Sequence, residues 1–308
     1  MTIVVAGHSG LVGSAIFDLL QNQGANVVGV NSKVVNLLDR DATFQFIADT
    51  KPDLIIDAAA IVGGIGSNNS YPVDFLSKNL QIQNNLMDAA HAANVERFVF
   101  LGSSCIYPRE CQQPIKEEYL LTGELEKTNS AYAVAKIAGI ELIKSYRKQF
   151  KRSWISLMPT NLYGPKDNFN VETGHVIPAL INKFENAKRN NLKSVKLWGS
   201  GSALREFMYV DDLADAVLFC LDNYNEDSHL NVGTGEEISI RNLAQLVSEL
   251  VGFTGTVEWD TNQPDGTPRK VLDSTKLTHI GWKPKFTLRD GLAKTIDWYL
   301  SNYESAKR

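Results

Sequence analysis

The sequence predicts a doubly wound α/β fold: a parallel sheet covered by helices on both faces, followed by a smaller, partly interleaved C-terminal α/β unit. Three observations carry this. In the first half, short apolar runs alternate with stretches of helical period. A glycine-rich turn joins the first apolar run to the first helical stretch. After Gly164-Pro165 the rhythm breaks into shorter pieces linked by loops rich in Gly, Pro, Asn and Asp.

Strands are expected at 3–6, 27–30, 54–57, 97–101 and 154–158, each short, apolar and bounded by polar or glycine-rich turns. Between them, 11–23, 41–50, 74–94 and 131–151 carry helical periodicity. Beyond residue 165, helices near 176–189 and 240–251 mix with short strands near 195–198 and 256–259. The expected division is a dinucleotide-binding unit of 1–164 plus about 205–235, and a second unit of about 165–204 and 236–308.

Composition removes several classes of function. With 35 acidic and 31 basic residues the net charge is −4, so no bulk field attracts nucleic acid or an anionic membrane, and neither partner is expected. The most apolar stretch, 54–66, is interrupted by Asp57 and is too short to span a bilayer. The chain opens directly on a strand pattern, without a charged, cleavable leader. Three cysteines, Cys105, Cys111 and Cys220, do not make a disulfide framework in a chain of 308 residues, so a reduced cytoplasmic setting is expected. Cys111 falls in a polar loop and Cys220 on an apolar helix face, where neither suggests chemistry. Histidines and carboxylates show no metal-ligand spacing, and no metal is expected.

Gly7-His8-Ser9-Gly10-Leu11-Val12-Gly13 follows the first strand and opens the first helix. In that context glycines let the backbone approach a pyrophosphate lying on a helix N-terminus, the arrangement of a Rossmann dinucleotide site. The spacing is G-x-x-G-x-x-G rather than the commoner G-x-G-x-x-G, and tight strand–helix packing alone would also demand glycines. At the end of the second strand, Val30-Asn31-Ser32-Lys33 offers no acid for the ribose hydroxyls of NAD and one cation for the extra phosphate of NADP. Lys33 therefore leans the reading to NADP(H). Asp39 can meet the adenine amino group or cap the following helix.

Tyr132 and Lys136 stand at i and i+4, so they project from one helix face. Reducing a carbonyl to an alcohol needs a proton donor beside the hydride. A phenol titrates near about 10, and a neighbouring ammonium draws that value down. Lys136 can also hold the nicotinamide ribose. Gly102-Ser103-Ser104 lies just after the fourth strand, at the carboxyl edge where ligands of doubly wound sheets sit, and Ser103 can share the charge developing on the carbonyl oxygen.

Glycine turn, strand-end serine and Y-x-x-x-K in this order resemble the extended short-chain dehydrogenase/reductases, which act mainly on nucleotide sugars. The resemblance runs nearly the whole chain. It includes Ala58-Ala59-Ala60, Asn161-Leu162-Tyr163-Gly164-Pro165, Arg205-Glu206-Phe207 leading to Asp211-Asp212, and Asn231-Val232-Gly233-Thr234-Gly235. Narrower matches are Val62-Gly63-Gly64-Ile65, Gly102-Ser103-Ser104-Cys105-Ile106-Tyr107-Pro108, Met158-Pro159-Thr160-Asn161-Leu162-Tyr163-Gly164-Pro165 and Pro264-Asp265-Gly266-Thr267-Pro268-Arg269-Lys270. These resemble the branch that epimerises GDP-4-keto-6-deoxy-D-mannose at C3 and C5 and then reduces its C4 ketone with NADPH. That branch often carries a basic residue where this chain has Ser9, so NAD(H) stays open beside NADP(H).

The resemblance implies catalytic roles for Cys105 and His175, one removing an α-proton and the other returning one to the opposite face. It assigns Asn161 and His175 to the cofactor as well. Arg205, Arg269 and Lys270 are expected to clamp the pyrophosphate of the GDP-sugar, with Lys183 and Trp198 also lining its pocket. Sibling activities, a 4,6-dehydratase or a 4-epimerase, remain alternatives, as does a non-catalytic cofactor-binding regulator. A dehydratase resembles Thr-Asp-Glu after the fourth strand, whereas this loop has no carboxylate. The helices of 74–94 and 131–151 resemble the dimer-forming pair of the superfamily, so a homodimer is expected.

Overall fold

The protein is described by a computed structural model covering residues 1–263 and 265–307. Pro264, part of one motif above, lies outside the described residues. In chain order the first half forms β1 (Thr2–Ala6), α1 (Leu11–Asn22), β2 (Asn26–Val30), α2 (Arg40–Thr50), β3 (Leu54–Asp57), α3 (Ile65–Ser70), α4 (Asn79–Ala92), β4 (Arg97–Leu101), α5 (Ser130–Phe150) and β5 (Ile155–Pro159). There follow β6 (Asn161–Tyr163), α6 (Val176–Arg189), β7 (Ser194–Trp198), β8 (Leu204–Tyr209), α7 (Val210–Asn223), β9 (Leu230–Val232), β10 (Glu237–Ser239), α8 (Ile240–Val251), β11 (Thr256–Asp260), β12 (Arg269–Lys270), α9 (Thr275–His279) and α10 (Leu288–Ser301).

The main sheet has the order β2-β1-β3-β4-β5-β9, with every pairing parallel. Its central strands are apolar at consecutive positions because both faces are covered. Alternate residues feed two separate cores. Val4, Ala6, Ile55, Phe98 and Phe100 face α4 and α5. Ile3, Val5, Ile56, Val99 and Leu101 face α1 and α7. The chain leaves β1 for β2 on one side and returns to β3 on the other, so a crevice opens outside the carboxyl ends of β1 and β3. The glycine turn sits at that crevice.

A third core, whose buried members run from Tyr163 to Tyr299, packs α6, α8 and α10 around Phe169, Phe184, Phe207 and Tyr299. Here β8 is flanked by β10 and β12 and also pairs with β6, while β7 and β11 form a separate parallel pair. The strand β9 and the helix α7 lie between these elements in sequence yet pack on the main sheet.

Two differences from the sequence reading have plain causes. The stretch expected as one helix over 74–94 begins with a wider π-type turn at Asp74–Lys78 before α4. There the Asn79 amide donates to the Phe75 carbonyl at 2.7 Å and to Ile61 at 3.0 Å, tying the helix start to the loop after β3. The short strands β6, β9, β10 and β12, of two or three residues each, carry too few residues for a period to show.

Helix α5 lies unusually close to β4. A Cβ on Gly139 would stand 2.3 Å from the Phe100 ring. Gly139→Ala is therefore expected to destabilise the fold by about 1–3 kcal/mol, read from the urea midpoint. An unchanged midpoint would show that the helix is free to shift.

Candidate active site

The glycine turn is tightly built. Gly7 has φ +79°, and its N–H donates to the Val30 carbonyl at 2.8 Å, which ties the turn to the end of β2. A Cβ at Gly7 would lie 2.6 Å from the Ala58 carbonyl oxygen, and one at Gly13 only 2.1 Å from that of Gly7. Gly10 precedes α1 without any side-chain cap, so the first N–H groups of the helix face outward. A close backbone cradle ending on an uncapped helix start fits a dinucleotide pyrophosphate. Leu11 and Val12 are half-buried at the head of α1. The His8 ring is packed against Phe17 at 5.3 Å and sits over Gly29, whose Cβ would strike it, so His8 shapes the turn.

Ser9 and Lys33 are exposed on the rim of the same turn. Asn31 closes the loop by accepting the Lys33 N–H at 3.0 Å. Of the two roles open to Asp39, its side chain takes the helix cap here, accepting the Ala42 N–H at 3.0 Å.

Tyr132 and Lys136 lie on the first two turns of α5, both buried. Lys136 Nζ donates to the Leu101 carbonyl at 2.9 Å and stands 4.7 Å over the Phe100 ring and 6.0 Å over that of Tyr132. Ser103 lies beside the Tyr132 phenol, where it favours the ionised form, and its hydroxyl accepts the Cys105 N–H at 3.2 Å. One expectation is corrected. Burial, together with the charges of Cys105 and Asp57, pushes the Tyr132 phenol up rather than down, against the effect of Ser103. Burial likewise lowers the Lys136 ammonium, opposed by Asp57. The site thus holds a protonated phenol, the form that can donate to a ketone oxygen.

The half-buried Cys105 thiol lies 3.5 Å from Asn129 Nδ2 and 3.7 Å from Lys270 Nζ. Asn129, absent from the sequence reading, precedes Ser130 at the head of α5, and its Oδ1 is buried without a partner among the described residues. Its signal was its place three residues before Tyr132. His175 occupies the cap position of α6 but makes no capping bond. Its ring reaches solvent while being crowded by protein, and the crowding lowers its pKa from the ordinary imidazole value. The loop ahead of it is locked by Asn170 Oδ1, which accepts the Glu172 and Thr173 N–H groups, each at 2.9 Å. It docks on Gly64, whose N–H donates to the Thr173 carbonyl at 3.0 Å and whose Cβ would lie 2.8 Å from the Gly174 oxygen. The absence of a side chain at Gly64 therefore lets the loop before His175 pack against the loop after β3. Asn161 is partly engaged elsewhere, donating to the Glu206 carbonyl at 2.8 Å.

The expected cation clamp is not assembled as one unit. Arg269 and Lys270 alternate across β12. Arg269 pairs with Glu237 at 2.7 Å, while Lys270 turns to the Cys105 thiol. Arg205 is half-buried beside Asp265, burial lowering its pKa and that carboxylate raising it. Lys183, farther along α6 from His175, is half-buried, its pKa lowered by burial, and has no ion pair among the described residues. Trp198 ends β7 70% exposed, projecting from the surface.

Comparison with known proteins places this arrangement. A model of the NAD dependent epimerase/dehydratase family matches residues 3–233. The chain belongs to that family. Within the family it is 54% identical to GDP-L-fucose synthase 1 of Arabidopsis thaliana over 301 residues, covering 97% of this chain and 93% of the relative. It is 46% identical to GDP-L-fucose synthase of Escherichia coli strain K12, covering 98% and 97%. A GDP-L-fucose synthetase from Naegleria fowleri bound to NADP superposes with TM-score 0.93 at 32% identity, covering 100% of this chain and 95% of that one. That structure thus shares the architecture over the whole length of this chain, the third core included. No helix among the described residues is long and apolar enough to cross a membrane, and no group of three or more His, Cys, Asp or Glu among them could hold a metal.

Gly13→Val is expected to weaken NADPH binding by about tenfold or more, measured by cofactor fluorescence. Binding at full strength would show that the cradle does not hold the pyrophosphate. Because folding lowers the pKa of His175, its ring should titrate below about 6.5 in a 15N-histidine NMR titration. The sign follows: the fold favours the neutral ring, so this residue costs stability as pH falls through the unfolded value, and His175→Gln should relieve that part of the acid destabilisation.

Proposed function

We propose that this chain converts GDP-4-keto-6-deoxy-D-mannose to GDP-L-fucose, inverting C3 and C5 and then reducing the C4 ketone with NADPH. The observation that carries the reading is one loop, Ser103–Cys105, which sets a thiol and a hydroxyl within two residues of each other beside the Tyr132 phenol. Near-full-length similarity to GDP-L-fucose synthases supports the substrate, and the NADP-bound relative supports the cofactor. The coenzyme supplies a hydride to C4.

The residues of this chain do the rest. The C4 carbonyl makes the protons on C3 and C5 acidic by enolate formation. Cys105 and His175 divide the work, one removing each α-proton and the other returning a proton to the opposite face. Lys270 and Asn129 hold the thiol in place from two sides. In the last step Tyr132 passes its proton to the C4 oxygen, while Ser103 steadies that oxygen and Lys136 takes the nicotinamide ribose. Arg205 and Lys183 are the cations best placed to meet the GDP diphosphate, since Arg269 is engaged with Glu237.

Two further elements belong to the proposal. Ser9, where a basic residue would meet the NADP phosphate, leaves the selectivity to Lys33 and the loop after β2, so NADH is also accepted, more weakly. A homodimer through α4 and α5 accounts for exposed apolar side chains near that face, among them Tyr71, Val73 and Val134.

Cys105→Ser and His175→Gln are expected to abolish C3 and C5 inversion while some ketone reduction survives. Deuterium uptake from solvent at those carbons and product analysis separate the two steps, and either variant making GDP-L-fucose at the parent rate contradicts the assignment. At equal concentration NADPH should support faster turnover than NADH. A clear NADH preference overturns the cofactor reading.

A further inference from the structure

Asp57 ends β3 with its side chain wholly buried. Its neighbours in register are Ala6 on β1 and Phe100 on β4. In a parallel sheet such neighbours point to one face, and Ala6 and Phe100 both belong to the apolar layer beneath α4 and α5. A carboxyl group is therefore set into a hydrocarbon layer, where an isolated charge is costly. One oxygen, Oδ1, accepts the Ala59 N–H at 3.1 Å. The other, Oδ2, has no hydrogen-bond partner among the described residues.

Lys136 descends from α5 onto the same place. Its Nζ lies 4.7 Å over the ring of Phe100, the residue beside Asp57, and uses one N–H on the Leu101 carbonyl. An ammonium has three N–H donors. Apart from the ionisable Tyr132 and Cys105, the other side chains of this layer are neutral. The strands contribute Ala6 and Phe100, and α4 contributes the amides of Asn79 and Gln83. Besides Lys136, α5 contributes Tyr132, and the loop after β4 contributes Cys105, which acts on Tyr132.

We propose that Asp57 is the buried counter-ion of Lys136, a positioning residue that keeps the ammonium charged and fixed beneath the Tyr132 phenol. Its importance for turnover rests on the reduction step proposed above; the ion pair itself does not. The titration behaviour agrees. Burial raises Asp57 to about 6 and the Lys136 charge opposes that rise; burial lowers Lys136 and the Asp57 charge opposes that fall. The pair is intact above the carboxyl midpoint and is lost as pH falls through it. The Asp57 charge also helps keep Tyr132 protonated, so one buried carboxylate supports both the cation and the proton donor.

The test uses the protein free of cofactor and sugar. Lysine labelled with 13C at Cε is followed by NMR, the Lys136 signal being the one absent in Lys136→Met. Asp57→Asn should lower the Lys136 midpoint by about one unit or more. In the reverse arm, Lys136→Met should raise the midpoint of the Asp57 carboxyl by a similar shift, and this arm decides the matter if Asp57→Asn does not fold. In turnover, Asp57→Asn should lose its reduction rate at a lower alkaline pH than the parent. An unchanged midpoint in either folded variant overturns the pairing. A protein that shows both shifts but turns over no GDP-keto-sugar would instead sink the proposed substrate and leave the pairing standing.

Discussion

The seating of α5 on β4 decides where everything else in the site can be. Gly139 lets the helix sink onto Phe100, and that depth brings Lys136 within 2.9 Å of the Leu101 carbonyl at the end of the strand. Strand end and helix start are then locked in one position. Ser103 and Cys105 follow from the strand, Asn129 and Tyr132 from the helix, and the four meet without any long flexible connection. A side chain at residue 139 would lift the helix and separate groups that the proposed reaction brings to one carbonyl.

Burial is the second consequence of that seating, and it changes the electrostatics in a direction that residue spacing does not reveal. A lysine four residues from a tyrosine suggests a lowered phenol pKa. In the folded chain both groups are desolvated, so each resists its charged form, and the Lys136 charge is partly answered by Asp57. The phenol stays protonated, which suits a donor in ketone reduction better than a phenolate would.

Much of the first half was legible because buried parallel strands are written as unbroken apolar runs. The run Leu54-Ile55-Ile56 and the run Phe98-Val99-Phe100 could be little else, and β3 and β4 lie at the expected residues. The glycine turn was legible through its context, and the backbone contacts at Gly7 and Gly13 give its physical reason. Strands of two or three residues, such as β9 and β12, hold no readable period, since their pairing is decided by distant partners. The alternation of Arg269 and Lys270 across β12 was hidden for the same reason. Asn129 was hidden because an asparagine before a helix reads as a cap, and only the folded loop brings it to Cys105. Asp57 read merely as an interruption in an apolar stretch, yet the sheet register carries it beneath Lys136.

The proposed reaction draws Tyr132, Cys105 and His175 from three separate parts of the chain and asks of them two inversions followed by one reduction. The most direct measurement is to supply GDP-4-keto-6-deoxy-D-mannose with NADPH, record the absorbance of the reduced cofactor, and determine the product's configuration by NMR. The account predicts one NADPH consumed per sugar and a product inverted at both C3 and C5. Turnover of the sugar without net NADPH loss, or reduction with C3 and C5 unchanged, would contradict it.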